Sequence, residues 1–438
     1  MTSTPQADPV VAHGAATQST PSADIIVIGA GIVGLCTAHA LARAGHAVTL
    51  LDPEAPGSQC SSGNAGALSS GSVVPLAMPG LLKNTAGMLL DPTGPLHIPF
   101  HYWARGASWL LQFARAARPE RVERIAAALQ TLLQDAVASH ERVAAAIGRP
   151  DFISRSGQLH LYPDAKALAK DAGGWAMKQA HGLRVEHVDA AAIRALEPNV
   201  RASYTTGVFL PDEASVNDPL GYAQAIAADL RARGARFEQA RVTHLARGAD
   251  AWQVGAGDRR WQARHVVVSA GAWSTQVLAS LGLHVPLQTQ RGYHLQLAGG
   301  AAAPAVSRVV VLADRKVFMN PMRGGLRIAG TVEIDALDRP ANARRAELLR
   351  EHARAGLQGV DLEGGSVWMG HRPCLPDSMP VLGPVPAAEG LWCAFGHGHL
   401  GLTESVNTGD WIAAAIAGQA PAAMAAFSLT RFRGWRRG

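Results

Sequence analysis

Hydrophobic positions near the start of the chain follow the order of a strand, a helix and a strand. An apolar run over residues 24–28 predicts a buried parallel strand. Residues 32–44 carry apolar side chains at helical spacing, and Gly45 then predicts the end of a helix. Residues 47–51 form a second apolar run. The three elements predict one β-α-β unit over residues 24–52.

Further along, strand–helix pieces alternate with groups of short strands. Strands are predicted at residues 157–162, 207–210 and 391–395, with three more between 236 and 270, and an antiparallel sheet over 286–332. Helices are predicted at residues 120–147, 219–233 and 341–355, and from about residue 399 or 403 to 416. Glycine and proline predict an extended loop region over 55–99. This order predicts a nucleotide-binding domain assembled from separate segments, with a second domain inserted.

Composition describes a folded protein with more than one core. The chain has 438 residues, of which 48% are hydrophobic and 17% are charged. Lys and Arg number 40 against 34 Asp and Glu, which gives a net charge of +6. The basic residues are spread along the chain, and only the tail at 431–438 forms a cluster. We interpret them as a solvated surface and expect no nucleic-acid partner.

The cysteines and the N-terminal segment bear on the location of the protein. None of the four cysteines lies in C-x-x-C spacing, so we expect free thiols and no metal site. Residues 1–22 lack a basic start and an apolar stretch, which predicts a disordered leader rather than a secretory signal. No apolar run approaches the length of a membrane-spanning helix. We expect a cytoplasmic protein, with peripheral contact at the inner face of the plasma membrane left open.

A glycine-rich motif joins the first predicted strand to the first predicted helix. It reads GAGIVG at 29–34 and matches the G-x-G-x-x-G fingerprint of dinucleotide-binding units. The first glycine permits a tight turn, the second lets the backbone approach a pyrophosphate, and the third packs the helix on the strand. The N-terminus of the helix favours the phosphate charge. The cofactor contacts predicted here are Gly29, Gly31, Ile32, Val33 and Gly34.

Asp52 closes the second predicted strand, where a carboxylate can accept hydrogen bonds from the ribose hydroxyls of an adenosine. Small residues follow in SSGNAG at 61–66, which suits a cofactor passing close to the backbone or a plain surface turn. The fingerprint fits both NAD and FAD. FAD is favoured because there is no second fingerprint and because glycine-rich elements recur at 270–271 and 396–401.

Six motifs together resemble the D-amino-acid oxidase superfamily of FAD-dependent oxidoreductases. Within this superfamily they look closest to the bacterial D-amino-acid dehydrogenase branch, whose members are small-subunit-like. They are GAGIVG at 29–34, SSGNAG at 61–66, VVVSAGAWS at 266–274, RGYH at 291–294, GHRPCLPDSMPVLG at 370–383 and GHGHLGLT at 396–403. The resemblance covers nearly the whole chain from about residue 23. It implies an α/β fold, with a Rossmann-like FAD-binding domain in discontinuous segments and an inserted α+β substrate domain with a large mixed or antiparallel sheet.

The resemblance also implies a division of the chain. We expect residues 23–90, 200–285 and 366–430 in the FAD-binding domain and residues 91–199 and 286–365 in the substrate-binding domain.

A catalytic and substrate-binding role for Arg372 is implied by the same resemblance. The arginine of the G-x-R-P motif in this family pairs with the substrate carboxylate, and a guanidinium can hold a carboxylate through two parallel hydrogen bonds. His399 is a second catalytic candidate, although a single histidine is more often a packed residue. Tyr293 is a candidate for the pocket wall or a packed sheet residue.

Further cofactor contacts follow from the matched motifs. The residues expected beside the flavin are Ser61, Ser62, Gly63, Asn64, Ala65, Gly66, Val242, Ala270, Gly271, Gly396, His397, Gly398, His399, Leu400 and Gly401. Some relatives attach the flavin to a cysteine just before the R-P pair. Gly370 occupies that position here and Cys374 is offset, so we expect non-covalent FAD.

The function implied is oxidation of a D-amino acid or a related cyclic imino acid to the imine and 2-oxo acid, by hydride transfer from Cα to flavin N5. Quinone or oxygen would accept the electrons. The alternatives are a sarcosine- or glycine-type amine oxidase that uses oxygen, a flavin subunit of a multi-component dehydrogenase, and an NAD-linked dehydrogenase. An aromatic-rich stretch at 102–113 is either buried in the core or a docking face for a membrane or partner subunit.

Overall fold

The computed structural model describes residues 22–79, 96–99, 102–299, 305–432 and 434–435. The strands are β1 Ser22–Ile28, β2 Val48–Asp52, β3 Ala67–Leu68, β4 Leu96–His97, β5 Ile153–Ser154, β6 Gln158–Tyr162, β7 Glu186–Asp189, β8 Thr206–Leu210, β9 Ala214–Val216, β10 Arg236–Gln239, β11 His244–Arg247, β12 Trp252–Ala256, β13 Arg259–Val268, β14 Gln288–Ala298, β15 Val309–Leu312, β16 Val317–Met322, β17 Gly325–Ile334, β18 Ser366–Cys374, β19 Val381–Pro384 and β20 Leu391–Phe395. The helices are α1 Ile32–Arg43, α2 Trp103–Ala116, α3 Pro119–Leu133, α4 Ala136–Ala146, α5 Ala165–Lys170, α6 Ala172–Ala180, α7 Ala190–Leu196, α8 Pro219–Ala232, α9 Ser274–Ala279, α10 Ala343–Gly356 and α11 Gly401–Ile416.

The first sheet has a parallel centre in the order β10-β2-β1-β13-β20. Strands β12 and β11 extend it antiparallel on one path, and β19 pairs antiparallel with β20. Ile25 and Val27 pack toward α1, α8 and α11, whereas Ile26 and Ile28 pack toward the β11–β12 side. Burial on both faces explains why β1 reads as an unbroken apolar run. The predicted β-α-β unit is confirmed.

The second sheet runs in the order β18-β14-β17-β16-β15-β6-β8-β7, with β4 beside β17. Most of its pairs are antiparallel, and β15–β6 and β17–β4 are parallel. One face packs on α10 through buried residues such as Leu349 and Ala353. Strands β3, β9 and β5 form a small third sheet. The α/β fold with a second, largely antiparallel sheet is confirmed.

Two predicted elements are divided differently in the structure. The single helix predicted over 120–147 is wrong, because α3 ends at Leu133 and α4 starts at Ala136. Asp135 between them has a φ of 56°, which no α-helix accommodates. The three strands predicted between 236 and 270 are four, since β10 precedes the β11–β12–β13 meander.

Strand pairing places two strands from the segments predicted for the FAD-binding domain in the second sheet. Strand β8 pairs with β6 and β7, and β18 pairs with β14 along its whole length, so both belong to the second sheet. Helices α3 and α4 pack with α1 and α11 in the core of the first domain. The predicted leader lies outside the described residues apart from Ser22, and the basic tail lies partly outside them. In the described part of the chain, no helix is long and apolar enough to cross a membrane.

On the face of β14 that is turned toward α10, buried ion pairs and hydrogen bonds hold the polar side chains in place. The side chain of Arg291 is 1% exposed, and its Nη1 lies 3.1 Å from Glu333 Oε2. The same nitrogen lies 3.6 Å from Asp335 Oδ2. Tyr293 Oη donates to Glu333 Oε2 at 2.6 Å and accepts from the Asn342 amide at 3.1 Å. Glu333 therefore ties β14 to β17 below the surface of the sheet.

Replacing Glu333 with Gln should destabilise the fold. The change leaves a buried guanidinium without its nearest anion, and loss of one partner of a buried pair costs about 3 to 5 kcal/mol. We expect the free energy of unfolding in urea to fall by about 3 kcal/mol. Glu347→Gln is the matched control, because Glu347 pairs with Arg350 while 49% exposed and should cost less than about 1 kcal/mol. Equal losses in the two variants would contradict the structural role of Glu333.

Candidate active site

A cavity of about 920 Å³ lies where the carboxyl ends of the parallel strands face the second sheet. It is lined at these ends by residues such as Gly29 after β1, Asp52 in β2, Ala270 after β13 and Gly396 after β20. Ligands bind at this edge of open α/β sheets. Its volume is near the upper end of the range of roughly 300 to 1,000 Å³ for small-molecule sites. The cleft therefore has room for a large, extended ligand.

The glycine-rich turn has the backbone that its sequence demands. Gly29 has a φ of +109°, and a Cβ on it would lie 2.3 Å from the Ser269 carbonyl oxygen. A Cβ on Gly34 would lie 2.0 Å from the Gly29 carbonyl oxygen, so Gly34 serves the packing of α1 on β1 and does not line the cleft. Gly31, Ile32 and Val33 do line it.

Asp52 connects the ends of the first two strands. Its Oδ2 accepts from the Ala30 amide at 2.7 Å, and its Oδ1 accepts from the Glu54 amide at 2.8 Å. Burial raises the pKa of this carboxyl, and the two amide hydrogen bonds oppose that shift. Asp52 lines the same end of the cleft as Arg241 and Val242. The carboxyl is thus held in place before any ligand is present.

The loop 61–66 faces the cleft with only some of its residues. Ser61, Gly63, Asn64 and Ala65 line the cavity. Ser62 does not, because its hydroxyl donates to the carbonyls of Ser58 and Gln59. Gly66 also lies outside the lining and packs against Val216.

The fingerprint and this loop are directly connected. Ser61 Oγ accepts from the Ile32 amide at 2.9 Å, so one amide at the start of α1 already has a partner within the chain.

The second sheet holds the carbonyls of this loop. Arg327 Nη1 donates to the Ser62 carbonyl at 2.8 Å and to the Asn64 carbonyl at 2.7 Å. Asn320 Nδ2 donates to the Ala65 carbonyl at 2.9 Å. His294 Nδ1 lies 3.0 Å from the Gly63 carbonyl, which requires this nitrogen to carry the hydrogen. The loop is therefore fixed from the second sheet.

Arg372 projects from β18 into the cleft over a gap in the neighbouring strand. A Cβ on Gly292 of β14 would lie 2.3 Å from Arg372 Nη2, so the absent side chain makes room for the guanidinium. The side chain of Arg372 has no hydrogen bond or ion pair among the described residues. A guanidinium in this position has its donors available for an anion in the cleft.

The segment 396–401 forms the opposite wall, and all six of its residues line the cleft. His397 Nε2 lies 3.0 Å from Thr408 Oγ1, and burial lowers the pKa of His397 to about 3. His399 is open to the cleft but surrounded by protein. That enclosure, with the charges of Arg372 and Lys178, lowers the pKa of His399 to about 4. Both imidazoles are therefore neutral near pH 7.

Tyr293 lies outside the cleft, and substrate contact by this residue is not supported. Its neighbour Gly292 lies under Arg372, and successive residues of a strand point to opposite faces. Tyr293 is 1% exposed and bonded to Glu333 on the face of α10. Burial and Glu333 raise the pKa of its hydroxyl to about 12. The interpretation of Tyr293 as a packed sheet residue fits this position.

The structure adds residues that were not predicted. Trp368 lies four residues before Arg372 on β18, so its side chain is on the same face of the strand. It lines the cleft and stacks on His294, with ring centroids 5.1 Å apart. The aromatic-rich stretch also contributes, since Trp109 and Phe113 of α2 line the cavity and stack at 5.1 Å. Other unpredicted lining residues are Trp103, Leu110, Trp273, Gln290, Lys316, Phe318, Thr331 and His371. Part of the stretch proposed as a docking face is therefore a wall of the cleft.

Comparisons with known proteins found relatives that are similar in sequence and in fold. The chain is 38% identical over 419 residues to a D-amino-acid oxidase from Bradyrhizobium diazoefficiens, covering 93% of this chain and 98% of that protein. It is 32% identical to D-amino acid dehydrogenase 2 of Ralstonia nicotianae, covering 93% and 100%. The fold is similar to glycine oxidase from Geobacillus kaustophilus, with a TM-score of 0.76, 21% identity and coverage of 95% and 100%.

The sequence model of the DAO family, described as FAD dependent oxidoreductase, matches residues 24–415. That range contains the fingerprint, the loop 61–66, Arg372 and the segment 396–401. The chain belongs to the DAO family of FAD-dependent oxidoreductases.

Proposed function

We propose that this chain binds FAD in the cleft and oxidises a D-amino acid, or a related cyclic imino acid, to the imine that hydrolyses to a 2-oxo acid. The observation that carries the proposal is the guanidinium of Arg372, unpaired among the described residues and placed in the same cleft as the dinucleotide fingerprint. Relatives named D-amino-acid oxidase and D-amino acid dehydrogenase support it. The carboxylate that Arg372 would hold is common to these substrates.

The residues present fit FAD. The close approach of Ser269 leaves no room for a side chain at Gly29, and the carboxyl of Asp52 faces the cleft near Val242. Asp52 and Val242 would hold the adenosine, residues 29–33 the pyrophosphate, and residues 396–401 the ring. When bound, FAD supplies the acceptor for the hydride that leaves the substrate Cα.

The positions and protonation of the cysteines are consistent with a cofactor that is bound without a covalent link. Cys374 is 2% exposed and does not line the cleft. Cys60 does line it, and burial raises the pKa of its thiol to about 11, so the nucleophilic thiolate is disfavoured near pH 7.

The chain's own residues would bind and orient the substrate. Arg372 would fix the carboxylate through paired hydrogen bonds and so set the direction of the Cα–H bond. The side chains of Trp109 and Phe113 would exclude water from that end of the cleft. Since His399 is neutral and weakly basic, the amine would bind without transferring its proton to this residue. The main contribution of the protein would therefore be to orient the substrate.

The proposed electron acceptor is quinone or oxygen. A quinone dissolved in a membrane would require contact with the membrane surface or with a partner subunit, whereas oxygen would reach the site by diffusion. Steady peroxide production in air would identify an oxidase, including one that acts on an N-methyl amino acid. Turnover only with a quinone or dye would identify a dehydrogenase.

Anaerobic mixing with amino acids tests the function. The purified protein should carry flavin, and D-amino acids should bleach its absorbance while L-enantiomers and N-methyl amino acids should not. Arg372→Lys should lower kcat/KM by about 100-fold, because it keeps the charge but removes the paired donors. Arg264→Lys, a surface change at a side chain that is 71% exposed, is the matched control.

The outcomes separate the rival functions. Bleaching by sarcosine or glycine alone would favour the amine oxidase. A flavin that no amine reduces would favour an accessory subunit. Equal activity of Arg372→Lys and the wild type would exclude the carboxylate clamp.

The pH profile tests the role of His399. We expect kcat/KM to rise between about pH 6 and about pH 9 as the substrate ammonium loses its proton. His399 titrates with a pKa of about 4, lowered by burial, Arg372 and Lys178, so it stays neutral across that range. His399→Asn should therefore leave the position of the rise unchanged, measured by steady-state kinetics in overlapping buffers. A shift of this limb in the variant would show that His399 exchanges the essential proton.

Replacing Asp52 with Ala should weaken FAD binding. The change removes the acceptor of the Ala30 and Glu54 amides and the carboxyl that faces the adenosine end. We expect the dissociation constant for FAD to rise at least about tenfold, measured by fluorescence titration of the apoprotein. Asp24→Ala is the control, since Asp24 also accepts from an amide, that of Ala47, but lies outside the cleft. An unchanged dissociation constant for Asp52→Ala would remove Asp52 from the cofactor site.

A further inference from the structure

Two glutamines lie on the face of β14 that carries Gly292. Gln288, Gln290 and Gly292 are spaced by two residues along the strand, so their side chains share one face. The guanidinium of Arg372 covers Gly292, which identifies this face as the one beneath the guanidinium. Within the described part of the chain, Gln290 is the residue of β14 that lines the cleft. The strand thus presents one carboxamide to the cleft.

The two glutamines differ in their partners. Gln288 is 8% exposed, and its Oε1 accepts from Tyr102 Oη at 3.0 Å while its Nε2 donates to the Thr289 carbonyl at 3.1 Å. Gln290 is 7% exposed, but its side-chain amide has no hydrogen bond among the described residues. Neither atom of this amide is among the unpartnered polar atoms that the surrounding protein encloses, so both are reachable from the cleft. A nearly buried amide is unfavourable unless a ligand satisfies it.

The register of the second sheet places Gln290 beside Arg372. The two residues are direct partners in the antiparallel pair of β14 and β18. Side chains of direct partners lie on the same face, with Cβ atoms about 5 Å apart. On its other side Gln290 is paired with Ile334 of β17, which also lines the cleft. The amide therefore has a guanidinium as its neighbour on one side and an apolar side chain on the other.

The amide and the guanidinium offer complementary chemistry. A guanidinium only donates hydrogen bonds, so it satisfies a carboxylate but not an amine, whereas a carboxamide oxygen accepts. The terminal torsion of a glutamine is broad, so this oxygen can turn toward a ligand held at Arg372.

The charge of the acceptor also matters. A carboxamide oxygen carries no net charge, so it does not hold an amine in its protonated form as a carboxylate would. Among the described residues that line the cleft, the acidic ones are Asp52 and Glu54, at the end of β2 in the first domain. The polar neighbour of Arg372 on the second sheet is therefore a neutral acceptor.

We infer that Gln290 Oε1 accepts a hydrogen bond from the substrate amino group while Arg372 holds the substrate carboxylate. This inference rests on the proposed function, since it assigns the second polar contact of the same substrate. An α-amino acid carries both polar groups on one carbon, and direct partners on adjacent strands provide a matching short separation. Gln290 thereby distinguishes an amino acid from a carboxylic acid that lacks the amine.

A pair of unreactive ligands tests this contact without turnover. 2-Aminoisobutyrate has an amine and a carboxylate but no α-hydrogen, and isobutyrate is the same molecule without the amine. Gln290→Met keeps the length of the side chain and removes the amide. By calorimetric titration of the FAD-loaded protein, Gln290→Met should bind 2-aminoisobutyrate about five- to tenfold more weakly than the wild type does, and isobutyrate equally well.

Further variants control for folding and for the clamp. Gln290→Leu also removes the amide and should show the same selective loss, while unchanged binding of isobutyrate shows that each variant is folded. Gln253→Met makes the same change on β12, at an exposed position outside the cleft, and should leave both affinities unchanged. Arg372→Lys should weaken both ligands, which distinguishes the clamp from the amine contact.

Several outcomes would overturn the inference. Unchanged binding of 2-aminoisobutyrate to Gln290→Met and Gln290→Leu would exclude the contact, and so would equal affinities of the wild type for the two ligands. Equal weakening of both ligands would assign the amide to the carboxylate or to the structure of the sheet. A selective loss in His399→Ala alone would place the amine at the opposite wall.

The flavin separates these failures from a failure of the proposed function. If D-amino acids reduce the wild-type flavin, the outcomes above reject the inference alone. If no amino acid reduces it, the proposed function and this inference fail together.

Discussion

The hydrogen bonds from the second sheet to the carbonyls of residues 62–65 are the contact on which the site depends. Arg327, Asn320 and His294 donate to four successive carbonyls of one short loop. The loop in turn accepts from the first turn of α1 through Ser61. A loop of the first domain that lines the cleft is therefore positioned by side chains of the second sheet. Since buried backbone carbonyls must be satisfied, separating the two domains would leave this loop without partners.

Strand β14 contributes to the arrangement at the other end of the cleft. One face carries Gly292 beneath the guanidinium of Arg372, and the opposite face carries Arg291 and Tyr293 bound to Glu333. A slip of β14 by one residue would exchange its two faces and place Arg291 or Tyr293, instead of Gly292, under the guanidinium of Arg372. The ion pair below the sheet thus helps to fix the register that presents the clamp above it. The stability of the second sheet and the position of the Arg372 guanidinium are therefore coupled through one strand.

Local periodicity predicted the elements well and their partners less well. The β-α-β unit at 24–52 followed from short-range pattern, because burial on both faces of β1 produces an unbroken apolar run. The membership of β8 and β18 in the second sheet depends on pairing between residues far apart in sequence. Asp135 broke a helix whose apolar spacing continues across it. The motif RGYH alone does not show which face of β14 carries Tyr293, and the structure places this residue on the face opposite the cleft.

Under the proposed function, the cleft would recognise its substrate with one polar wall and one apolar wall. The fixed features of an amino acid, its carboxylate and its amine, would meet Arg372 and its neighbours on the second sheet. The variable side chain would then face groups such as Trp109 and Phe113 of α2. Aromatic surfaces discriminate by size and shape rather than by hydrogen bonds, and an added methylene in such a pocket changes selectivity only about 10- to 200-fold. Under the proposed function, an arrangement of this kind would favour one reaction on many substrates, and α2 would be the element that sets their range.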